Sequence, residues 1–132
     1  MNVTATKVEE IETYILRNDG ISFATLGRMF GRGDLEIYLE KPNIVLWQGM
    51  SDEVFEVIRD LLQAGKIWIK PCDEFVYMID GGFLKIPVAK RTPRGGAYKT
   101  KRWLPVVIMT GPIDEKKAIA NPWGEIETTQ AG

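Results

Sequence analysis

The stretch from Ser51 to Gly65 constrains the fold more than any other part of the chain. Val54, Phe55, Ile58, Leu61 and Leu62 recur at helical spacing and make one continuous apolar stripe. Ser51 offers an N-cap oxygen, Asp52 and Glu53 lie where the helix dipole favours negative charge, and Gly65 supplies the stop. A helix with one apolar face must bury that face against other elements, so the chain needs a layered core around it. With 132 residues it has the size of one domain. A domain of that length buries roughly two-thirds of its unfolded surface, so neither a metal nor a disulfide is required for stability. Cys72 is the only cysteine, which excludes an internal disulfide.

The remaining elements are read from caps and periodicity. Thr6 and Glu9 have the form of a capping box, followed by Val8, Ile11, Ile15 and Leu16, with Asn18-Asp19-Gly20 as the stop. A helix is predicted over Lys7–Arg17. Ser22 caps a short second helix that turns Leu26, Met29 and Phe30 inward, although Gly27 costs about 1 kcal/mol against alanine there. Leu35, Ile37 and Leu39 alternate with polar residues, Lys41-Pro42-Asn43 reads as a turn, and Ile44–Trp47 is fully apolar. These predict a hairpin. Lys66–Lys70, Phe75–Ile79 and Phe83–Val88 read as three strands joined by turns short enough to require an antiparallel meander. Leu104–Met109 reads as a further strand, which Pro105 places at a sheet edge. The predicted organisation is one α+β domain over residues 1–111, with a loop at 89–102 and a loosely ordered tail over 112–132.

Two short helices, a third amphipathic helix and then a hairpin resemble a winged-helix domain. The resemblance is carried by Val8–Arg17, Ser22–Phe30, Ser51–Ala64 and the wing-like pair Lys66–Lys70 and Phe75–Ile79, and it covers roughly residues 6–88. The passage Leu61-Leu62-Gln63-Ala64-Gly65-Lys66-Ile67 is similar to the step from third helix to wing. The predicted fold is thus α+β and winged-helix-like, with three helices, an antiparallel β-meander and an inserted hairpin at Gly31–Met50. The third helix enters the major groove in family members that read DNA. Here its polar positions are Asp52, Glu53, Glu56, Arg59, Asp60 and Gln63, four carboxylates against one cation, a balance that phosphate would repel. The resemblance supports a fold and not groove reading by that helix.

Charge along the chain is uneven, although the net value is only −1. Residues 81–113 carry seven Lys/Arg and no carboxylate, whereas residues 1–80 carry eight against fourteen Asp/Glu. The seven are Lys85, Lys90, Arg91, Arg94, Lys99, Lys101 and Arg102, with Tyr98 and Trp103 interleaved. Clustered cations neutralise phosphate and aromatic faces stack on unpaired bases, so the segment is a candidate nucleic-acid contact, DNA or RNA. Trp68, between Lys66 and Lys70 on the expected outer face of its strand, extends that surface if the wing lies beside the loop. The same cations also suit an ordinary solvated loop, with Trp103 as a core residue.

A second reading is a protein-interaction or self-assembly module, with Trp47, Trp68 and Tyr38 as candidate anchors and an acidic third helix facing a basic loop. Winged-helix domains that lack a basic recognition helix often serve in this way, which is what the resemblance implies. Catalysis has little to build on. The chain has no histidine, Cys72 has no second thiol beside it, and neither Gly81-Gly82 nor Gly95-Gly96 opens a helix as a phosphate loop does. No cofactor is implied. The N-terminus lacks the apolar stretch of a signal peptide, and no apolar run approaches the roughly 20 residues that span a bilayer. A soluble, cytoplasmic protein with no membrane partner is the expectation.

Overall fold

The structure is a computed structural model that describes residues 3–39, 43–82, 84–89 and 99–119. In chain order the elements are α1 (Val3–Arg17), β1 (Ile21–Ser22), α2 (Phe23–Phe30), β2 (Arg32–Tyr38) and β3 (Ile44–Met50). They continue with α3 (Asp52–Gln63), β4 (Trp68–Pro71), α4 (Glu74–Ile79), β5 (Arg102–Trp103) and β6 (Val106–Met109). The α+β class expected from the sequence is present, as four helices and two small sheets among the described residues.

The caps explain most of the helix boundaries. Ser51 Oγ accepts from Val54 N at the start of α3, and Ser22 Oγ accepts from Thr25 N at the start of α2. At the other end of α3, Lys66 N donates to Leu61 O at 3.0 Å and Gly65 N to Leu62 O at 3.1 Å. With Gly65 at φ +71° this is a Schellman ending, the left-handed position that glycine fills without strain. Val54, Val57, Ile58 and Leu61 of α3 are buried, and Ile11 and Ile15 of α1 face the same core. Two helix details depart from expectation. Since α1 begins at Val3, Thr6 and Glu9 lie inside it and not at its cap. Met29 is exposed, because α2 is only eight residues long and its inward face is taken by Phe23, Ala24 and Leu26.

The hairpin expected over residues 35–47 forms as β2 and β3, with Glu36 opposite Gln48 and Ile37 opposite Trp47. A bulge brings both Arg32 and Leu35 opposite Met50. At that bulge Gly33 admits no side chain: a Cβ would stand 2.6 Å from Ser51 Cα and 2.7 Å from Met50 O.

The meander expected over residues 66–88 does not form. Phe75–Ile79 is helix α4, not a strand: Asp73 caps it, accepting from Phe75 N at 2.9 Å, and Glu74 fills its first turn. Five consecutive apolar residues carry no period, so the cap decides. Residues 84–89 make a single bridge, Val88 to Trp103, and Phe83 lies outside the described residues. The partner of β4 is instead β6, antiparallel, with Trp68 opposite Met109 and Ile69 opposite Ile108. Nor is β6 at an edge. It is the centre of the sheet β1-β6-β4, since Pro105 precedes the strand and takes up no ladder donor position, while its carbonyl accepts from Cys72 N at 2.9 Å.

The second sheet has the order β2-β3-β5, and β5 runs parallel to β3. Leu104 and Pro105 then carry the chain from this sheet into the first. At the crossing Trp103 is fully buried against Tyr77 and Trp47, with ring centroids 5.1 and 6.2 Å away. Tyr77 performs a second task. By continuation of the register Ile21–Ile108 and Ser22–Val107, Phe23 stands opposite Val106, but Phe23 is already turning into α2. The Tyr77 hydroxyl fills the gap, accepting from Phe23 N at 3.1 Å and donating to Val106 O at 2.6 Å. Beyond β6, Thr110 N donates to Asp19 at 2.7 Å, and Ile119 N returns to Ile69 O at 2.9 Å. Among the described residues no helix is long and apolar enough to cross a membrane.

Candidate nucleic-acid interface

The basic residues belong to the connection between β4 and β6, which contains α4 and β5. Lys85 and Lys99 are exposed on it, and Arg102 is half-buried in β5. Lys90, Arg91, Arg94 and Tyr98 lie outside the described residues. Trp68 is not on an outer face: only 8 % of it is exposed. As a stacking platform for bases it is therefore corrected to a buried residue.

Lys101 has a specific role. Its Nζ lies 3.0 Å from Glu36 Oε1 and 3.2 Å from Oε2, and 5.8 Å from the centroid of the Tyr38 ring. Glu36 also accepts from the Tyr38 hydroxyl and from Gln48 Nε2. Desolvation pushes the Glu36 carboxyl upward, but the bonds from Tyr38, Gln48 and Lys101 and the lysine charge outweigh it and hold the carboxyl below its ordinary range. The bond to Glu36 in turn raises Tyr38 and Lys101. This group anchors the end of the basic segment to the β2–β3 hairpin, so Lys101 is less available to a phosphate than a solvated lysine.

The solvent face of α3 is acidic, as the sequence indicates. Asp52, Glu56 and Asp60 are exposed, and Arg59 turns its guanidinium to Asp60 at 3.4 Å. Cys72 is half-buried. Burial, with the charges of Asp73 and Asp80, pushes its thiol up to about 12, so it is neutral at physiological pH. Among the described residues no three His, Cys, Asp or Glu side chains converge as a metal site.

Two surfaces escaped the sequence reading. On α4, Phe75, Met78 and Ile79 are 62, 52 and 82 % exposed. Read as a strand, this segment would have hidden one face; as a six-residue helix it buries Tyr77 and leaves these three outside. The second surface is a cavity of about 190 Å³ between α2, β3 and the turn after α4, lined in part by Arg28, Arg32 and Trp47. Its arginines lie far from the basic segment in sequence, so no charge run announces them. Of the anchors named above, Trp47 is half-buried in the aromatic cluster, and Tyr38 is exposed but bonded to Glu36. Comparison with known protein families, characterised proteins and solved structures finds no match to this chain.

Proposed function

We propose that the chain is a winged-helix variant that contacts nucleic acid, without sequence preference, through the long β4–β6 connection. Support for the fold comes from the order α1-β1-α2-α3-β4-β6 and the antiparallel sheet β1-β6-β4, the arrangement in which a wing joins the last two strands. The β2–β3 hairpin is then an insertion between the second and third helices. The observation that carries the function is the content of the wing position. From residue 81 to the start of β6 the connection carries seven Lys/Arg and no carboxylate. Two of the cations, Lys85 and Lys99, stand exposed, and α3 offers phosphate only repulsion. The protein acts as an accessory binder within a larger assembly.

The test is fluorescence anisotropy of mixed-sequence DNA and RNA oligonucleotides across salt concentrations. If about four phosphates are neutralised, the slope of log affinity against log salt is about −3.6 for duplex DNA, a loss of roughly a hundredfold between 50 and 200 mM. Replacing Lys85, Lys90, Arg91, Arg94 and Lys99 by glutamine is expected to abolish binding while sparing the Lys101–Glu36 anchor. Equal affinity in that variant refutes the reading. A second reading, docking onto a protein partner, is favoured by the exposed apolar residues of α4 flanked by Asp73 and Glu74. It replaces the first if nucleic acid is ignored and self-association is lost on Ile79→Glu in sedimentation runs at two salt concentrations.

A further inference from the structure

The geometry points to a phosphate-binding site in the cavity between α2, β3 and the turn after α4, separate from the wing contact proposed above. At about 190 Å³ it falls short of the roughly 300–1,000 Å³ of pockets that enclose drug-sized ligands, so it encloses one small group, and a nucleotide would enter it by its phosphate end. Part of its wall is bare backbone, because Gly27, Gly49, Gly81 and Gly82 all line it. Gly49 and Gly81 hold φ of +86° and +93°, where side-chain-bearing residues are rare.

Two arginines line this space from separate elements, and the glycines beside them leave them room. Arg28 Nη1 donates to Asp80 O at 2.5 Å and would lie 3.2 Å from a Cβ at Gly81, so that glycine lets the arginine rest on the turn. Arg32, between Gly31 and the bulge at Gly33, runs along α2 with its Cγ 3.5 Å from where a Gly27 Cβ would stand. Neither guanidinium forms an ion pair with a carboxylate among the described residues. The one carboxylate lining the cavity, Asp80, accepts from Ser22 Oγ at 2.6 Å, which draws an oxygen toward the α2 cap. A guanidinium carries five N–H donors, and the Asp80 carbonyl engages Arg28 through one nitrogen, so most donors of the pair face outward from these contacts. Two planar forks from different directions match the three terminal oxygens of a phosphate monoester better than the two of a carboxylate. Trp47 forms an apolar wall beside them, suited to the sugar or base that follows the phosphate.

Amide NMR titrations at fixed ionic strength test the assignment. The probes are inorganic phosphate, a nucleoside 5′-monophosphate, a short single strand with and without a 5′-phosphate, and acetate as the control. Saturable shifts at Gly49, Gly81 and Gly82 are expected with phosphate and absent with acetate. A tighter response to the 5′-phosphorylated strand than to its hydroxyl form assigns the source to a strand end, and an equal response to the mononucleotide assigns it to a free nucleotide. Arg32→Ala, which removes no side-chain hydrogen bond among the described residues, is expected to weaken phosphate binding about tenfold or more. Gly82→Ala offers an independent check. Its methyl would stand 3.7 Å from Ala24 Cβ and 3.9 Å from the Trp47 ring, an ordinary contact that fills the cavity, and it too should weaken binding. No saturable response, equal binding of acetate, or unchanged affinity in Arg32→Ala overturns the site, whatever the wing does with nucleic acid.

Discussion

Tyr77→Phe isolates a single oxygen atom on which the central sheet depends. The substitution keeps the ring against Trp47 and Trp103, at 5.2 and 5.1 Å, and so leaves the aromatic packing in place. What it removes is the hydroxyl that accepts from Phe23 N and donates to Val106 O. Tyr77 and Phe23 are buried and Val106 is fully buried, so water is a poor substitute for the lost partner. Each buried backbone group left unpaired costs about 1–3 kcal/mol, and two of them together cost roughly 2–6 kcal/mol. That is a large share of the 5–15 kcal/mol typical of a domain, and about 3 kcal/mol corresponds to a fall in Tm on the order of 10 °C for a chain of this size. Urea unfolding should show a lower midpoint at unchanged m value, and hydrogen exchange at the Phe23 amide should accelerate more than at Ile108. Tyr38→Phe is the control, because its hydroxyl is at the surface, bonded to Glu36, and supports no buried backbone group. The bridging role is refuted if Tyr77→Phe costs less than about 0.5 kcal/mol, or if both variants shift the midpoint equally.

Glycine substitutions should act in opposite directions at two positions. Gly33→Ala forces a methyl into the Ser51 and Met50 backbone and is expected to cost about 3 kcal/mol or more, read from the urea midpoint. Gly27→Ala, inside α2 with only the flexible Arg32 stem nearby, should stabilise by about 0.5–1 kcal/mol in the same assay. The Glu36 group predicts a pH dependence. Its folded carboxyl lies below the ordinary 4.5, so its contribution is fully present above that pH and is lost as pH falls through the folded value. Glu36→Gln should therefore lower the urea midpoint at pH 7, and the difference should shrink as pH falls below 4.5; an effect that stays constant down to the acid limit of folding would remove the carboxylate from the account.

The sequence made the helices legible wherever a cap and a period agreed. Ser22 and Ser51 mark the starts of α2 and α3, and Gly65 marks the end of α3, because capping is a local transaction between neighbouring backbone groups. Alternation at Leu35, Ile37 and Leu39 made the hairpin legible, and the runs at Lys66–Lys70 and Leu104–Met109 marked strands that form as β4 and β6, but neither run named its partner. Phe75-Val76-Tyr77-Met78-Ile79 is apolar throughout, so its period was mute, and Asp73-Glu74 held the only usable signal. Pairing of β4 with β6 is non-local and left no mark near residue 70. The candidate interface shows the same limit. The charge run at 85–102 could be seen by counting, but the Lys101–Glu36 bond and the burial of Trp68 depend on which strands meet. Arg28 and Arg32 come together with the turn at Asp80 only through the tertiary fold.

The place of β6 in the sheet also bears on how the chain is made. Both neighbours of that strand are translated well before it, Ile21 facing Ile108 and Ile69 facing Ile108 from its two sides. Until residue 109 emerges, the sheet β1-β6-β4 lacks its central strand, and the apolar faces that close against it are open to chaperones or to other nascent chains. At 5–20 residues per second the ribosome needs roughly 2–8 s to pass from the end of β4 to the end of β6. Rare codons within the basic connection would lengthen that exposed interval, so synonymous changes there should alter the yield of folded protein without altering one residue of it.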